Sequence, residues 1–419
     1  MAAPVVIGTS RAWQELISSA TALRHDLHRQ PELAWAEHAT AERVRAELDA
    51  LGIAWRACAG TGTVAHLATG APGRHIALRA DLDAMPIDED SGADWTSEVA
   101  GAMHACGHDG HTATLLAAAA WLAAHEDALP GPVTLLLQPA EEGGHGARGM
   151  IEDGALAGGE PGPGRPVELV FGWHNWPAVA PGRVACPDGA VMSANGTFEV
   201  EVAGVGGHAS QPEVTRDPVL AAAAITQALQ QVVARRLPPS TAAVLAVTWI
   251  DAPGSDTVTP ARARLGGSIR VPDTGLRDVV FGLIDEVAGA TARAYGVEAT
   301  TTVRPRYAAT VNHPGPAAEL RETLTDSLAG LVAADGPEPP VLPLPVLASE
   351  DFSYYLAEVP GAFALVGAAG KHSCHSPHYD FDDALIAPVA RAYARLAGAP
   401  DPDAGPAGTA DAEERQPSS

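Results

Sequence analysis

Between residues 193 and 306 the chain runs strand, helix, strand, strand, helix, strand, and no other feature restricts its fold so much. Residues 197–202 alternate apolar and polar as a half-buried strand does, and a Gly-rich turn then leads to a helix over 218–235. Strands over 243–250 and 262–271, a helix over 276–295 and a strand over 298–303 follow. That order is the split, ferredoxin-like α+β arrangement, complete in itself. A complete unit over 193–306 within a longer chain predicts an insertion, so residues 1–192 and 307–397 are expected to close on each other as one discontinuous domain.

The flanking segments carry a different pattern. Apolar residues recur at helical spacing over 13–29 and 39–51, the second run stopping at Gly52. Apolar runs of strand length lie at 75–79, 133–137 and 167–171, with a helix over 111–122 between the first two. Strand, helix, strand at this spacing predicts an α/β domain on a mixed, largely parallel sheet. A helix over 315–331 and a strand over 363–366 would complete it. From about residue 398 the chain is rich in Pro, Ala, Asp and Glu without periodicity, and disorder is expected over 398–419.

With 419 residues the chain is long enough for two domains, and 46% hydrophobic against 18% charged residues suits a globular protein. The 51 acidic residues outnumber 26 basic ones, for a formal net charge of −25. A nucleic acid or an anionic membrane surface would be repelled, so neither is an expected partner. No run is long and apolar enough to span a bilayer, and the first ten residues lack the basic and apolar regions of a secretory signal. Cys58, Cys106, Cys186 and Cys374 are too few and scattered for a disulfide framework, and a cytoplasmic setting is expected.

Four clusters carry chemistry. His104-Ala105-Cys106-Gly107-His108-Asp109-Gly110-His111 places a thiol and imidazoles in a Gly-containing loop before a helix. Sulfur and nitrogen donors so close together can point at one borderline metal such as zinc. A lone Cys-x-His pair is more often two ordinary, partly buried residues. Gln138-Pro139-Ala140-Glu141-Glu142-Gly143-Gly144 follows the strand at 133–137, and ligands of open α/β sheets gather beyond the carboxyl ends of strands. Adjacent carboxylates point differently, so one can bind a metal while its neighbour faces a substrate water. Such a pair usually lies in a solvated acidic turn, but the two glycines after it permit close approach. His174 ends the apolar run at 167–171 and its continuation, and His375 lies in Cys374-His375-Ser376-Pro377-His378. In the inserted unit, His208 occupies a Gly-Gly-His loop and Arg270 a strand end.

The sequence resembles the metallo-amidohydrolases that include hippurate hydrolases, N-acyl-amino-acid amidohydrolases (aminoacylases) and indoleacetyl-amino-acid hydrolases, within the dinuclear-metal aminoacylase and carboxypeptidase group. The matching stretches are His28-Arg29-Gln30-Pro31-Glu32-Leu33, Leu78-Arg79-Ala80-Asp81-Leu82-Asp83-Ala84-Met85-Pro86, the loop at 103–111, the turn at 138–144, His208, Ser349-Glu350-Asp351-Phe352-Ser353 and His375-Ser376-Pro377. The resemblance implies a metallopeptidase-like catalytic domain with an inserted lid domain that pairs with its counterpart in a homodimer. It implies two divalent ions per subunit, zinc or manganese before cobalt or nickel, held by Cys106, His108, Glu142, His174 and His375. Glu141 would be the general base and acid, and His208 would stand near the substrate carbonyl, within its own or the neighbouring subunit's site. Arg270 would pair with the substrate carboxylate, while Asp81 and Asp83 would orient metal-bound groups. The expected substrate is a small N-acyl-amino acid.

Three positions depart from the pattern. Relatives usually carry Asn-Val-Ile-Pro where this chain has Thr257-Val258-Thr259-Pro260, without an amide side chain. Cys374 replaces an aliphatic residue, and His145 interrupts a run that is mostly glycine. A dipeptidase or carboxypeptidase of the same group, or a relative that binds metal without catalysis, are the alternatives. Glu141 speaks against the last, since a structural metal site has no use for a base beside it.

Overall fold

The structure, a computed structural model, describes Ile7 and residues 12–331 and 342–403. Its larger sheet has seven strands in the order Ala54–Cys58, Gly62–Leu67, Val133–Gln138, Ile76–Asp81, Leu169–Trp176, Gly361–Gly367 and Val184–Ala185. The middle four strands are mutually parallel. The hairpin at one edge and the short strand at the other run antiparallel. Three of the parallel strands are buried at every residue, and the fourth, Leu169–Trp176, at all but its last. They therefore read as continuous apolar runs instead of alternating ones. The bare edge hairpin escapes that pattern: Ala54–Cys58 is partly exposed and carries Trp55 and Arg56, so no periodicity announces it.

Helices cover both faces. Trp13–Arg29, His108–Ala124 and Ile386–Leu396 pack together on one side, and Gly146–Glu152 and Ser353–Glu358 lie over the other. His108–Ala124 is buried almost throughout, and its Ala117–Ala120 run lets neighbouring helices approach closely.

The inserted unit has a separate core. Its four strands are all antiparallel, in the order Val244–Asp251, Arg262–Val271, Ala194–Ala203 and Glu298–Pro305. Helices Pro218–Gln231 and Thr274–Ala294 cover one face. Ala194–Ala203 alternates buried and half-buried residues along its whole length, as a strand with one covered face must. Asp217 and Asp273 cap the two helices by accepting from backbone amides of their first turns. Both helices begin where their caps stand, and the first ends in a turn of wider winding at Val232–Arg236.

The helix expected over 315–331 spans Pro314–Ser327, followed by a short turn at Ala329–Leu331. The start of the expected tail is held to the body. Trp121 Nε1 donates to Pro400 O at 2.9 Å, and Arg391 forks onto Asp401 at 2.8 and 2.9 Å. Residues 404–419 lie outside the described residues. No helix among the described residues is long and apolar enough to cross a membrane.

Candidate metal centre

Because the four middle strands are parallel, their carboxyl ends share one edge of the sheet. Asp81 closes one strand and Asp83 follows it; Glu141 and Glu142 follow the next. His174 lies near the end of the third, and His375 in the loop after the fourth. The Cys106 loop joins them from below helix His108–Ala124, and His375 N donates to Ala105 O at 2.8 Å, fastening the two loops together. Gly107 makes this approach possible. Its φ is 86°, and a Cβ there would stand 2.5 Å from Asn175 Oδ1 and 2.7 Å from the Tyr379 hydroxyl.

The fold brings all five expected ligands together. Cys106 Sγ lies 3.2 Å from His174 Nε2 and 3.3 Å from His375 Nε2, and His375 Nε2 lies 3.1 Å from Glu142 Oε1. Cys106, His108 and His174 form one triplet whose donor atoms fall within 4.8 Å of one another; Cys106, Glu142 and His375 form another. A third, of His108, Glu141 and Glu142, joins them. The overlap makes one connected set of donors around a shared space, broader than a single four-ligand cage. His108 Nε2, wholly buried, makes no hydrogen bond within the protein, which is costly unless a cation takes its lone pair. One thiol, three imidazoles and a carboxylate fit a borderline divalent metal.

Hydrogen bonds set the tautomers that such binding needs. His174 Nδ1 faces Asn175 O at 2.6 Å and so carries the proton, leaving the Nε2 lone pair toward Cys106. Burial pushes His174 well below the usual imidazole range, keeping it neutral. Burial also lowers His108, but Asp81, Asp83 and Glu142 outweigh it and raise the imidazole to about 10. That position favours positive charge, proton or metal cation alike. Cys106 is raised by its side-chain contact with Cys374 and by burial, so the thiolate forms there when a cation offsets both.

Glu141 is buried, and burial pushes its carboxyl well above the usual range; Glu350, Glu142, Asp351 and Asp83 push it further. Asp83 holds the turn from beneath: its two oxygens accept from Glu141 N at 3.0 Å and Glu142 N at 2.9 Å. His111 Nδ1 lies 2.6 Å from Asp81 Oδ1, and His111 Nε2 lies 2.7 Å from Asn175 Oδ1. Arg79, wholly buried, reaches Gln138 at 2.9 Å, Glu350 at 2.8 Å and Asp351 at 3.3 Å, compensating the acidic residues behind the base. His28 takes up Asp109 at 2.8 Å and Glu89 at 3.2 Å, and burial opposed by those carboxylates leaves it at about 9.

A cavity of about 180 Å³ opens over the ligands, walled by Trp176, Met192 and Ala348 as well as by Glu141 and His375. Arg270 stands behind its rim, 3.3 Å from Leu347 O and 3.4 Å from Ser349 Oγ. His208 is not part of this assembly. It is exposed, accepts from Ser210, and pairs with Val258 in a short two-stranded ladder of the inserted unit. Thr257 adjoins that ladder, its carbonyl accepting from Ala209 N, and it does not line the cavity either. Cys374 lines the cavity, while His145 points away from it to the Tyr354 hydroxyl at 2.8 Å.

The model of peptidase family M20/M25/M40 matches residues 77–399. An IAA-amino acid hydrolase, ILR1-like 2, of Arabidopsis thaliana is 37% identical over 384 residues, covering 90% of this chain and 83% of that protein. An N-acetyl-L-cysteine deacetylase of Bacillus subtilis is 37% identical over 368 residues, covering 87% of this chain and 84% of that one. A thermostable carboxypeptidase of Saccharolobus solfataricus is 34% identical over 387 residues, covering 90% and 93%. Among solved structures, a dinuclear metal-binding M20 peptidase of Bacillus subtilis superposes with a TM-score of 0.75 at 29% identity, covering 93% of this chain and 98% of that one.

Proposed function

The chain belongs to peptidase family M20/M25/M40, and from that premise we propose that it is an amidohydrolase cleaving the amide bond of N-acyl-amino acids, with Glu141 as general base and acid. The observation that carries this is the placement of Glu141: buried at the wall of the cavity, beside the ligand Glu142, with its carboxyl raised by its surroundings. A carboxyl so raised holds a proton more readily than an ordinary carboxylate, as a group that takes one from water and returns it to an amine must. Cys106, His108, Glu142, His174 and His375 would hold two divalent cations, zinc or manganese before cobalt or nickel, which when bound would supply the charge that acidifies the attacking water and polarises the scissile carbonyl.

The chain's own groups do the rest. Glu141 takes the water's proton as the carbonyl is attacked and delivers it to the amine nitrogen, which must leave protonated. The apolar wall of Trp176, Met192 and Ala348 excludes solvent from that transfer. Arg270 receives the substrate's α-carboxylate once the rim turns toward it. His208 stabilises the developing oxyanion from a second subunit, which explains its distance from the cavity in its own chain. Support for pairing comes from the outer strand Val244–Asp251, whose exposed Val244, Trp249 and Ile250 line an open sheet edge. The four cysteines are all unpaired, in keeping with a cytoplasmic enzyme.

The carboxypeptidase among the relatives favours a second reading, in which the amide is a peptide bond. Hydrolysis of acetyl-, benzoyl- and indoleacetyl-amino acids and of dipeptides, by protein stripped of metal and then reconstituted, separates the two. Metal-restored cleavage of an acyl class supports the proposal; cleavage of dipeptides alone replaces it.

A further inference from the structure

The turn bearing the base is gripped by two parts of the molecule. Its backbone is left-handed at Ala140, with φ of 51°, and at His145, with φ of 60°, conformations that side-chain-bearing residues adopt only when held. One grip is Asp83, from the large sheet. The other comes from the segment by which the chain leaves the inserted unit: the Tyr307 hydroxyl donates to Glu141 O at 2.7 Å, and Arg306 Nη2 donates to Gly143 O at 2.9 Å.

The first of these bonds falls on a decisive peptide. The carbonyl of Glu141 and the amide of Glu142 belong to one plane, whose carbonyl accepts from Tyr307 and whose amide donates to Asp83 Oδ2 at 2.9 Å. Both functional carboxylates hang from this plane, one on each side. Because the peptide is planar, its orientation fixes ψ of Glu141 and φ of Glu142 together, so the two bonds that hold it set the backbone on which both carboxylates are carried.

Arg306 and Tyr307 stand where the chain leaves the inserted unit, and they are locked to the place where it enters. Arg306 N donates to Asn195 O at 3.1 Å, Asn195 N to Tyr307 O at 3.1 Å, and Tyr307 N to Asn195 Oδ1 at 2.8 Å. Arg277, from helix Thr274–Ala294 of the inserted unit, donates to both carbonyls, of Arg306 at 3.3 Å and Tyr307 at 3.1 Å. The two crossings therefore move as one piece with the inserted unit. Tyr307 is buried, edge-on to His145 at 4.8 Å between ring centres, and His145 is itself tied to Tyr354. A swing of the inserted unit cannot leave the hydroxyl in place.

From this geometry we propose that Tyr307, assisted by Arg306, is a positioning residue that couples the angle of the inserted unit to the placement of Glu141. This rests on the acyl-amino-acid reading for its catalytic consequence, but not for the clamp. When the inserted unit takes up the substrate, the Glu141–Glu142 peptide is turned with it. Binding at one unit thus sets the base at the other.

The test is Tyr307→Phe, which keeps the ring and removes the donor, with Arg306→Gln beside it, in the metal-reconstituted full chain. Two readouts are taken: steady-state hydrolysis of the parent's preferred substrate, and hydrogen–deuterium exchange of the backbone. For Tyr307→Phe we expect kcat to fall about 10- to 100-fold with KM within about threefold, the signature of a misplaced group and not of lost binding. Exchange over 141–147 should rise about tenfold while the cores of both units keep parental rates, which a general loss of stability would not do. Arg306→Gln should show the same pattern more weakly. Exchange that stays at the parental rate overturns the clamp, and a kcat within about twofold of an active parent overturns its catalytic consequence. A parent inactive toward every acyl-amino acid would sink the proposed function, and the exchange result would still decide the clamp.

Discussion

Replacing His66 with Asn should flatten the acid limb of the protein's stability. His66 is only 5% exposed, and its Nδ1 lies 2.9 Å from Thr134 Oγ1. The same hydroxyl meets His75 Nε2 at 2.7 Å, while His75 Nδ1 faces the carbonyls of Arg165 and Pro166 at 3.1 and 3.0 Å. His75 Nδ1 therefore carries the proton, Thr134 donates to His75 Nε2, and His66 Nδ1–H donates to Thr134. In this hydrogen-bonded series His66 is satisfied as a neutral ring. Burial, with His75 and Arg56 nearby, lowers it from 6.5 to about 4. Above pH 6.5 the imidazole is neutral in both folded and unfolded chains and has no effect. Below it the unfolded chain takes up the proton first, so stability falls until the folded pKa is passed. The full difference is about 3 kcal/mol, of which about 2 is lost between pH 7 and pH 5. His66→Asn keeps a donor for Thr134 and cannot titrate. Urea unfolding of parent and variant at pH 7, 6 and 5 should show the parent losing about 2 kcal/mol more than the variant over that range. His66 pairs with the opposite end of strand Val133–Gln138 from the ligand cluster, so metal content will not differ. Parallel curves would refute the reasoning.

Gly107→Ala should cost about 1–3 kcal/mol and most of the metal, because the new Cβ would collide with Asn175 and Tyr379 at a left-handed φ; calorimetry and metal analysis read both. Asp83→Ala leaves the amides of Glu141 and Glu142 without their acceptor and His108 without its Nδ1 partner, so metal affinity should fall about 10- to 100-fold with the fold intact by circular dichroism. Cys106→Ser should weaken zinc far more than manganese in competition titrations, since the thiolate is the one soft donor in the set. Equal losses for both metals would contradict that donor assignment.

Much of this was legible in the sequence because it is local. Strands buried on both faces read as apolar runs, and Glu141, Glu142 and His174 stand at or near their carboxyl ends, which made them candidates; their roles as base and ligands came from the family resemblance. The inserted unit declared itself by strand and helix order, and its two helix caps, Asp217 and Asp273, mark their starts. The edge hairpin Ala54–Cys58 with Gly62–Leu67 was missed because the outer strand, with Trp55 and Arg56, is partly exposed without alternation, and the inner one, though wholly buried, carries Gly62, Thr63 and His66 and so reads as no apolar run. Bonds to backbone carbonyls were missed for another reason. Tyr307 and Arg306 act through Glu141 O and Gly143 O, and a carbonyl has the same chemistry in every residue, so nothing in the sequence marks which one a distant side chain will find. Likewise Arg79, placed in a matching motif, gave no sign that it would hold Glu350 and Asp351, far along the chain. His208 was read from its Gly-Gly-His loop, which fixes the local turn but not which site the imidazole reaches.

The most direct test of the central claim is Glu141→Gln, assayed for hydrolysis and metal content together. Gln preserves shape and the hydrogen bond from Asp351 N but cannot carry a proton between water and amine. The variant should keep both metals and its fold while kcat falls about 10²- to 10⁴-fold on the parent's substrate. A variant that keeps parental turnover with the metals bound would contradict the assignment of Glu141 as base.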